Sequence, residues 1–305
     1  MSKVDAPWHD PVPIGVAAAP PFVRLAAPIS LFAGRTQRLR TLARGHELSA
    51  YLLFLASLIE AQYRIQDDLP PIKMPDALSR ERARSFAMPP LDRNCFTPDA
   101  AFDATLDQLL SLVRTIEMRP EASAALASVI NLDMPGREAL VRALLTNSVP
   151  SAALAEHVFV AAALQVHFAR LAAGLDPKGL GPVGDGACPA CGGPPVSSLV
   201  VGWRGAHGTR FCACPLCSTL WNVVRIKCSL CGSTKGIGYQ EIDGGAGTIK
   251  AETCDNCRSY VKILHQHKDA ALDPVADDVA TLGLDLLVRE LGYRRGAFNP
   301  FLLGY

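Results

Sequence analysis

Eight cysteines fall into four C-x-x-C pairs: Cys188/Cys191, Cys214/Cys217, Cys228/Cys231 and Cys254/Cys257. In each half of the set 22 residues separate one pair from the next, and the second half repeats the first at an offset of 40. The chain therefore carries CxxC-x22-CxxC twice, with weaker echoes in Gly192/Gly232, Gly205/Gly245, Arg210/Lys250 and Val223/Ile263. Two residues between thiols let a tight turn aim both sulfurs at one ion, and two such knuckles complete a tetrahedral site of four thiolates. Matched spacing predicts sequential closure: Cys188, Cys191, Cys214 and Cys217 hold one metal ion, and Cys228, Cys231, Cys254 and Cys257 hold a second. Gly192 and Gly232 supply the positive φ that such a turn favours after its second cysteine, while Ser218 and Arg258 stand at the matching positions of the other two pairs. Modules of about 30 residues bury too little surface to fold unaided, whereas metal binding at such sites supplies ~10–16 kcal/mol. Inert core cysteines or a redox dithiol are the competing readings, and four pairs in register argue against both.

Two of the ten cysteines lie outside the pattern. Cys212 precedes Cys214 by two residues, but its counterpart in the second half is Glu252, so it is expected to be a structural thiol. Cys95 is isolated, and its replacement should leave metal content unchanged.

Upstream the chain reads as helical. Residues 1–30 carry six prolines and suggest an extended arm. Leu48, Leu52, Leu55 and Ile59 then recur at helical steps, and a second stripe (Phe102, Leu106, Leu109, Val113, Ile116) follows Thr97, a candidate cap. Between them, Asp67–Pro98 reads as a long connection. Further helices are expected after Pro120, over Arg137–Asn147 beyond a break at Pro135-Gly136, and from Ser151 to about Leu175. The most apolar run, Val158–Leu164, is seven residues long, far short of the ~20 a membrane span needs. Glycines and prolines from Pro177 to Gly186 mark a linker. In the cysteine region VSSLVVGW, LWNVVRIK, GIGYQEI and YVKILHQ alternate with turns and read as antiparallel hairpins. A helix from Asp273-Pro274 to about Leu291 and an apolar tail, NPFLL, that could dock back onto the body end the chain. The resulting fold class is multidomain α+β: an all-α helical domain with its arm (1–180), a first four-cysteine β module (181–222), a second (223–268), and a C-terminal helix with tail (269–305).

Lysine and arginine number 30 against 29 acidic residues, a formal charge of +1, so no global footprint points to nucleic acid or an anionic surface. Residues 188–258 hold seven basic and four acidic side chains, and two tetrathiolate sites would make the region slightly negative, unlike a phosphate-binding ribbon. The N-terminal segment has no continuous apolar core, so no export signal is expected, and a cytoplasmic protein is. No catalytic motif is apparent and a closed tetrathiolate site is structural, so the chain is not expected to be an enzyme. Other residues receive bland readings: His265 and His267 facing solvent, His157 and His167 in the core, Arg294 and Arg295 on a solvated face, Asp277 and Asp278 favouring a helix N-terminus. Trp203, Trp221, Tyr239 and Tyr260 are expected to pack around the metal modules.

Several of these stretches together resemble one family, the bacterial formate dehydrogenase accessory proteins, FdhE. The resemblance rests on CPACGGPPVSS from Cys188, CPLCSTLWNVVRIKCSLC from Cys214, KAETCDNCRSYVKIL from Lys250, DPVADDVATLGLDLLVRE from Asp273, the terminal NPFLL and the helical RTQRLRTLARGHELSAYLLFLASLIEAQ from Arg35. It implies a cytoplasmic maturation protein that binds the formate dehydrogenase catalytic subunit, with rubredoxin-like four-cysteine modules and iron favoured over zinc. The bare spacing accepts either ion. An electron-transfer protein serving the same enzyme is the alternative, and a nucleic-acid-binding zinc ribbon a more distant one.

Overall fold

The computed structural model describes residues 20–304; residues 1–19 of the expected arm lie outside the described residues. The helical part comprises α1 (Pro28–Leu42), α2 (Ser49–Arg64), α3 (Ala77–Ser85), α4 (Ala100–Val113), α5 (Pro120–Ile130), α6 (Met134–Leu145) and α7 (Leu154–Ala173). Helix α7 is the hub. Its apolar residues run all round the helix, fourteen of its twenty residues are buried, and α1, α2, α4, α5 and α6 pack about it. Ser151–Ala173 is long and apolar enough to cross a membrane by composition, and 67% of its most apolar window is buried in the protein. His157 and His167 lie in this core. The His167 ring packs on Phe96, Phe102 and Phe168, and burial pushes its pKa down to about 4.

Local chemistry moves several boundaries. Asp99, not Thr97, caps α4 by accepting the Phe102 N–H. Pro135-Gly136 does not break a helix but sits in the first turn of α6, where Asp133 caps the Gly136 N–H and proline has no amide to waste. The proline-rich connection contains α3, a nine-residue helix that buries no side chain and leaves Leu78, Phe86 and Met88 exposed nearby.

The cysteine region forms one continuous sheet from β1 (Val23–Arg24), β2 (Ser197–Val200), β3 (Arg210–Ala213), β4 (Leu220–Val223), β5 (Ile237–Gln240), β6 (Ile249–Cys254), β7 (Ser259–Leu264) and β8 (Arg294–Arg295). The duplication holds strand by strand: β5, β6 and β7 follow β2, β3 and β4 at the offset of 40. Each trio is an antiparallel ribbon, and the ribbons join where β2 pairs in parallel with β7 (Ser198 with Ile263, Leu199 with Leu264). The tail of the expected arm supplies β1 on the free edge of β4.

The C-terminal helix is two pieces, α8 (Ala276–Ala280) and α9 (Leu282–Glu290). Asp277 and Asp278 lie in the first turn of α8, as expected, and both are also buried in ion pairs, Asp277 with Arg38 at 2.7 Å and Asp278 with Lys262 at 3.3 Å and with Arg295. Arg295 is correspondingly not solvated. It also meets Asp285 at 2.5 Å, and Tyr260 donates to the same carboxylate at 2.7 Å. The apolar tail docks as expected, with Phe301 and Leu302 buried in the helical core and the Phe301 carbonyl accepting from the Tyr51 hydroxyl at 2.7 Å.

Candidate metal centres

Four turns bring the eight cysteines together. The residue after the second cysteine has positive φ in every knuckle: Gly192 at 75°, Ser218 at 56°, Gly232 at 74° and Arg258 at 52°. Ser218 and Arg258 thus adopt the glycine-like conformation despite carrying a Cβ. This left-handed residue folds the chain back so that the Gly192 N–H reaches the Cys188 carbonyl at 2.8 Å and the Gly232 N–H reaches that of Cys228 at 3.0 Å.

Among the described residues, two sets of three or more donor atoms lie within 4.8 Å of one another. They are Cys188, Cys191, Cys214 and Cys217, and Cys228, Cys231, Cys254 and Cys257. Sulfur separations are 3.6 Å (Cys188–Cys217) and 3.4 Å (Cys191–Cys214) in the first, 4.0 Å (Cys228–Cys257) and 3.7 Å (Cys231–Cys254) in the second. A tetrahedron with metal–sulfur bonds of ~2.3 Å has edges of ~3.8 Å, so each quartet could hold one metal ion. All ten cysteines are free thiols, and no disulfide competes. Packing four thiols this closely has an electrostatic consequence. Burial pushes the Cys188 thiol well up, while Cys214, equally buried, is pulled down because Cys188, Cys191 and Cys217 all donate to it. Four thiolates become compatible in such a space only when a cation neutralises them.

The two centres differ in their surroundings. The first is fully buried and shares the helical core. The Leu91 and Arg93 amides donate to the Ala190 and Cys191 carbonyls at 2.9 and 3.1 Å, so the proline-rich connection splints the first knuckle. On the second knuckle the Pro215 carbonyl accepts from Gln165 of α7 at 2.8 Å, and Gln62 of α2 donates to Gln165 at 3.0 Å. The cysteines of the second centre are not part of that core cluster. Cys231 and Cys257 are half-buried, and the Asn256 amide donates to the Cys231 sulfur at 3.6 Å. Burial raises Cys231, but the Ser233 amide and Asn256 outweigh it and bring its pKa to about 7.

Cys212 stands outside both quartets, fully buried on β3, with its thiol pushed up to about 11 by burial. Its counterpart Glu252 has a different task. Arg210 donates to both Glu252 carboxylate oxygens at 2.7 and 2.8 Å and to Ser198 at 3.0 Å, a buried pair across the junction of the ribbons. Of the four aromatic residues expected around the metals, Trp221 shares the cluster of the first centre. Trp203 instead packs on Phe211, its ring tilted at 40°, in a separate cluster. Tyr239 and Tyr260 donate to Glu252 and Asp285. The splint at Leu91–Arg93 carried no signal in the sequence. Gln62 and Gln165, each lone and polar in an apolar helical stripe, did carry one.

A helical body fused to a pair of cysteine-quartet ribbons in one sheet defines the class: an α+β protein with two four-cysteine clusters, each of which could hold a metal ion. Comparisons with known proteins give the family. The chain matches the family models "FdhE, N-terminal" over residues 20–185, "FdhE, central domain" over 187–225 and "FdhE, C-terminal domain" over 226–302, and belongs to the FdhE family. It is 45% identical over 298 residues to a Protein FdhE homolog of Rhizobium meliloti (strain 1021), covering 97% of each chain. It is 37% identical to one of Edwardsiella ictaluri (strain 93-146), covering 89% of this chain and 88% of that one. The crystal structure of the FdhE protein from Pseudomonas aeruginosa is similar at a TM-score of 0.83 and 32% identity, over 93% of this chain and 99% of that one.

Proposed function

We propose that this chain is an accessory protein for the formation of active formate dehydrogenase, and that it binds the immature catalytic subunit in the cytoplasm. The observation that carries the reading is membership of the FdhE family along nearly the whole chain. In this reading the eight cysteines are the ligands of two ions, and the units are the helical body (1–180), the two ribbons (181–222 and 223–268) and the closing segment (269–305). The donor set suits iron or zinc, and iron, when bound, adds a one-electron couple that zinc lacks. The residues of the chain do the rest: positive-φ turns orient the sulfurs, the Leu91–Arg93 splint and Gln165 hold the first pair of knuckles, and the helical core keeps water from that centre. Two features support a binding protein rather than an enzyme. A four-thiolate site leaves no open coordination position for a substrate. The exposed Leu78, Phe86 and Met88 beside a helix with no buried face also form a surface suited to a protein partner. The test is co-purification of the tagged chain with the catalytic subunit before cofactor loading and export. Retention of the immature subunit is expected, and no association with it in cells making formate dehydrogenase would contradict the reading.

A second reading, electron exchange with the same client at the second centre, is favoured by the half-exposure of Cys231 and Cys257. Under it, an iron-loaded Cys188→Ser chain, retaining the second centre, is red and bleaches on reduction. A chain isolated colourless with zinc contradicts it.

A further inference from the structure

Helix α3 is held by local devices alone. It is nine residues long and buries no side chain, and among the described residues no other element packs closely along it. A helix that short is marginal in water without a packed face. Asp76 accepts the Ser79 N–H at its start. At its end Ala87 takes the left-handed conformation, φ 49°, and the Met88 N–H returns to the Ala83 carbonyl at 2.8 Å. That turn strains an alanine where glycine would be relaxed, and it places Met88 in the lining of a groove of about 560 Å³ between α3 and residues 175–183. Leu78 and Phe86 stand outside the groove, 80% and 69% exposed.

The groove joins an apolar lining to an unbalanced positive charge. Met88, Leu180, Val183 and Pro189 supply the first, and Arg80, Arg84 and Lys178 the second. Within α3 three arginines stand against one glutamate, Glu81. The two nearby aspartates are already engaged as caps, Asp76 on α3 and Asp176 on the Pro177–Gly179 turn. Among the described residues Arg82, Arg84 and Lys178 form no ion pair, and Arg80 shares only the field of Asp76. The groove also adjoins the first metal centre. Pro189 belongs to the Cys188–Cys191 knuckle, and Leu91, just beyond α3, donates to the Ala190 carbonyl at 2.9 Å.

Taking the accessory role proposed above as given, we propose that this groove, with Leu78 and Phe86 beside it, binds an acidic amphipathic segment of the immature catalytic subunit. The apolar side chains of that segment lie against Met88, Leu180 and Val183, and its carboxylates meet Arg80, Arg84 and Lys178. Charge complementarity selects this occupant, since the same cations repel a basic segment and leave a neutral one with unpaired charges at its flanks. Covering α3 gives the helix the packed face it lacks.

The test compares retention of the immature catalytic subunit by the full chain and three variants: Arg80→Glu with Arg84→Glu, Arg80→Lys with Arg84→Lys, and Arg289→Glu, which reverses an exposed arginine of α9. The intact chain, the lysine pair and Arg289→Glu retain the subunit. The glutamate pair loses about tenfold in affinity, with metal content and unfolding temperature unchanged. Added NaCl weakens binding by the intact chain. A benzophenone side chain placed at Phe86 crosslinks to a segment of the subunit rich in Asp and Glu. Equal retention by the glutamate pair, or crosslinks to a neutral or basic segment, to residues 1–19 or to a second copy of this chain, overturns the proposal while the subunit is still held by the chain. No retention by the intact chain overturns the accessory role and this site together.

Discussion

Each knuckle turns on a single residue. Because Gly192, Ser218, Gly232 and Arg258 share the left-handed conformation, the price of a side chain there is readable. At Gly232 an added Cβ would also collide with the Asp185 carboxylate. Gly232→Ala is therefore expected to cost about 1–2 kcal/mol and to weaken metal retention at the second centre, whereas Ser218→Gly is tolerated. Thermal unfolding of the metal-loaded variants checks both. The buried Arg210–Glu252 pair makes a different prediction. Glu252→Gln strands a guanidinium that is 1% exposed, for a loss of about 3–5 kcal/mol in chemical denaturation. His167 gives a pH dependence. Burial holds its pKa at about 4 in the folded chain, against about 6.5 unfolded, so the unfolded chain binds more protons between those values. Stability should fall as pH drops from about 6.5, by roughly 1 kcal/mol per unit, and His167→Phe should flatten that slope. At this scale the sequence spoke clearly for the cysteines, whose spacing is a covalent ruler. It gave Arg295 a solvated reading and named no partner for Asp278 or Glu252, because ion pairs between separate elements leave no local pattern.

At the level of elements, the duplication proved to be a repeat of strands as well as sulfurs. Strands β3 and β6 were not singled out from composition, yet each follows from the other at the offset of 40. What repetition could not convey is how the ribbons join. The parallel β2–β7 pairing is flanked by the Arg210, Ser198 and Glu252 side chains, which differ between the halves. The centres consequently differ in mechanical role. Cys188→Ser removes an ion from a pocket continuous with α2, α4 and α7, and should lower the unfolding temperature of the helical body as well as of its ribbon. Cys228→Ser should loosen its own ribbon and leave the helices at their original stability. Hydrogen exchange resolved by segment distinguishes these outcomes, and equal effects on the helices would contradict the asymmetry.

Across the whole molecule, distant segments converge on a few fastenings. Arg35 and Arg38 of α1 hold Asp273 and Asp277 before and within α8. The 91–93 segment meets the first knuckle, and Phe301 returns to the helical core. The sequence disclosed a helical part, a cysteine part and an apolar tail, because periodicity and spacing are local. It did not disclose that they share one core, which is a property of contacts more than 200 residues apart. Phe301→Ala should accordingly cost about 3–5 kcal/mol of global stability although it lies four residues from the end of the chain. The claim on which the account rests is tested most directly by X-ray absorption and elemental analysis of the full chain isolated anaerobically with iron and zinc supplied. Two ions per chain in the cysteine centres, each with four sulfurs at ~2.3 Å, is the predicted result, falling to one in Cys188→Ser and in Cys228→Ser. Nitrogen or oxygen in the coordination shell of those ions, or retention of both in either variant, would contradict it.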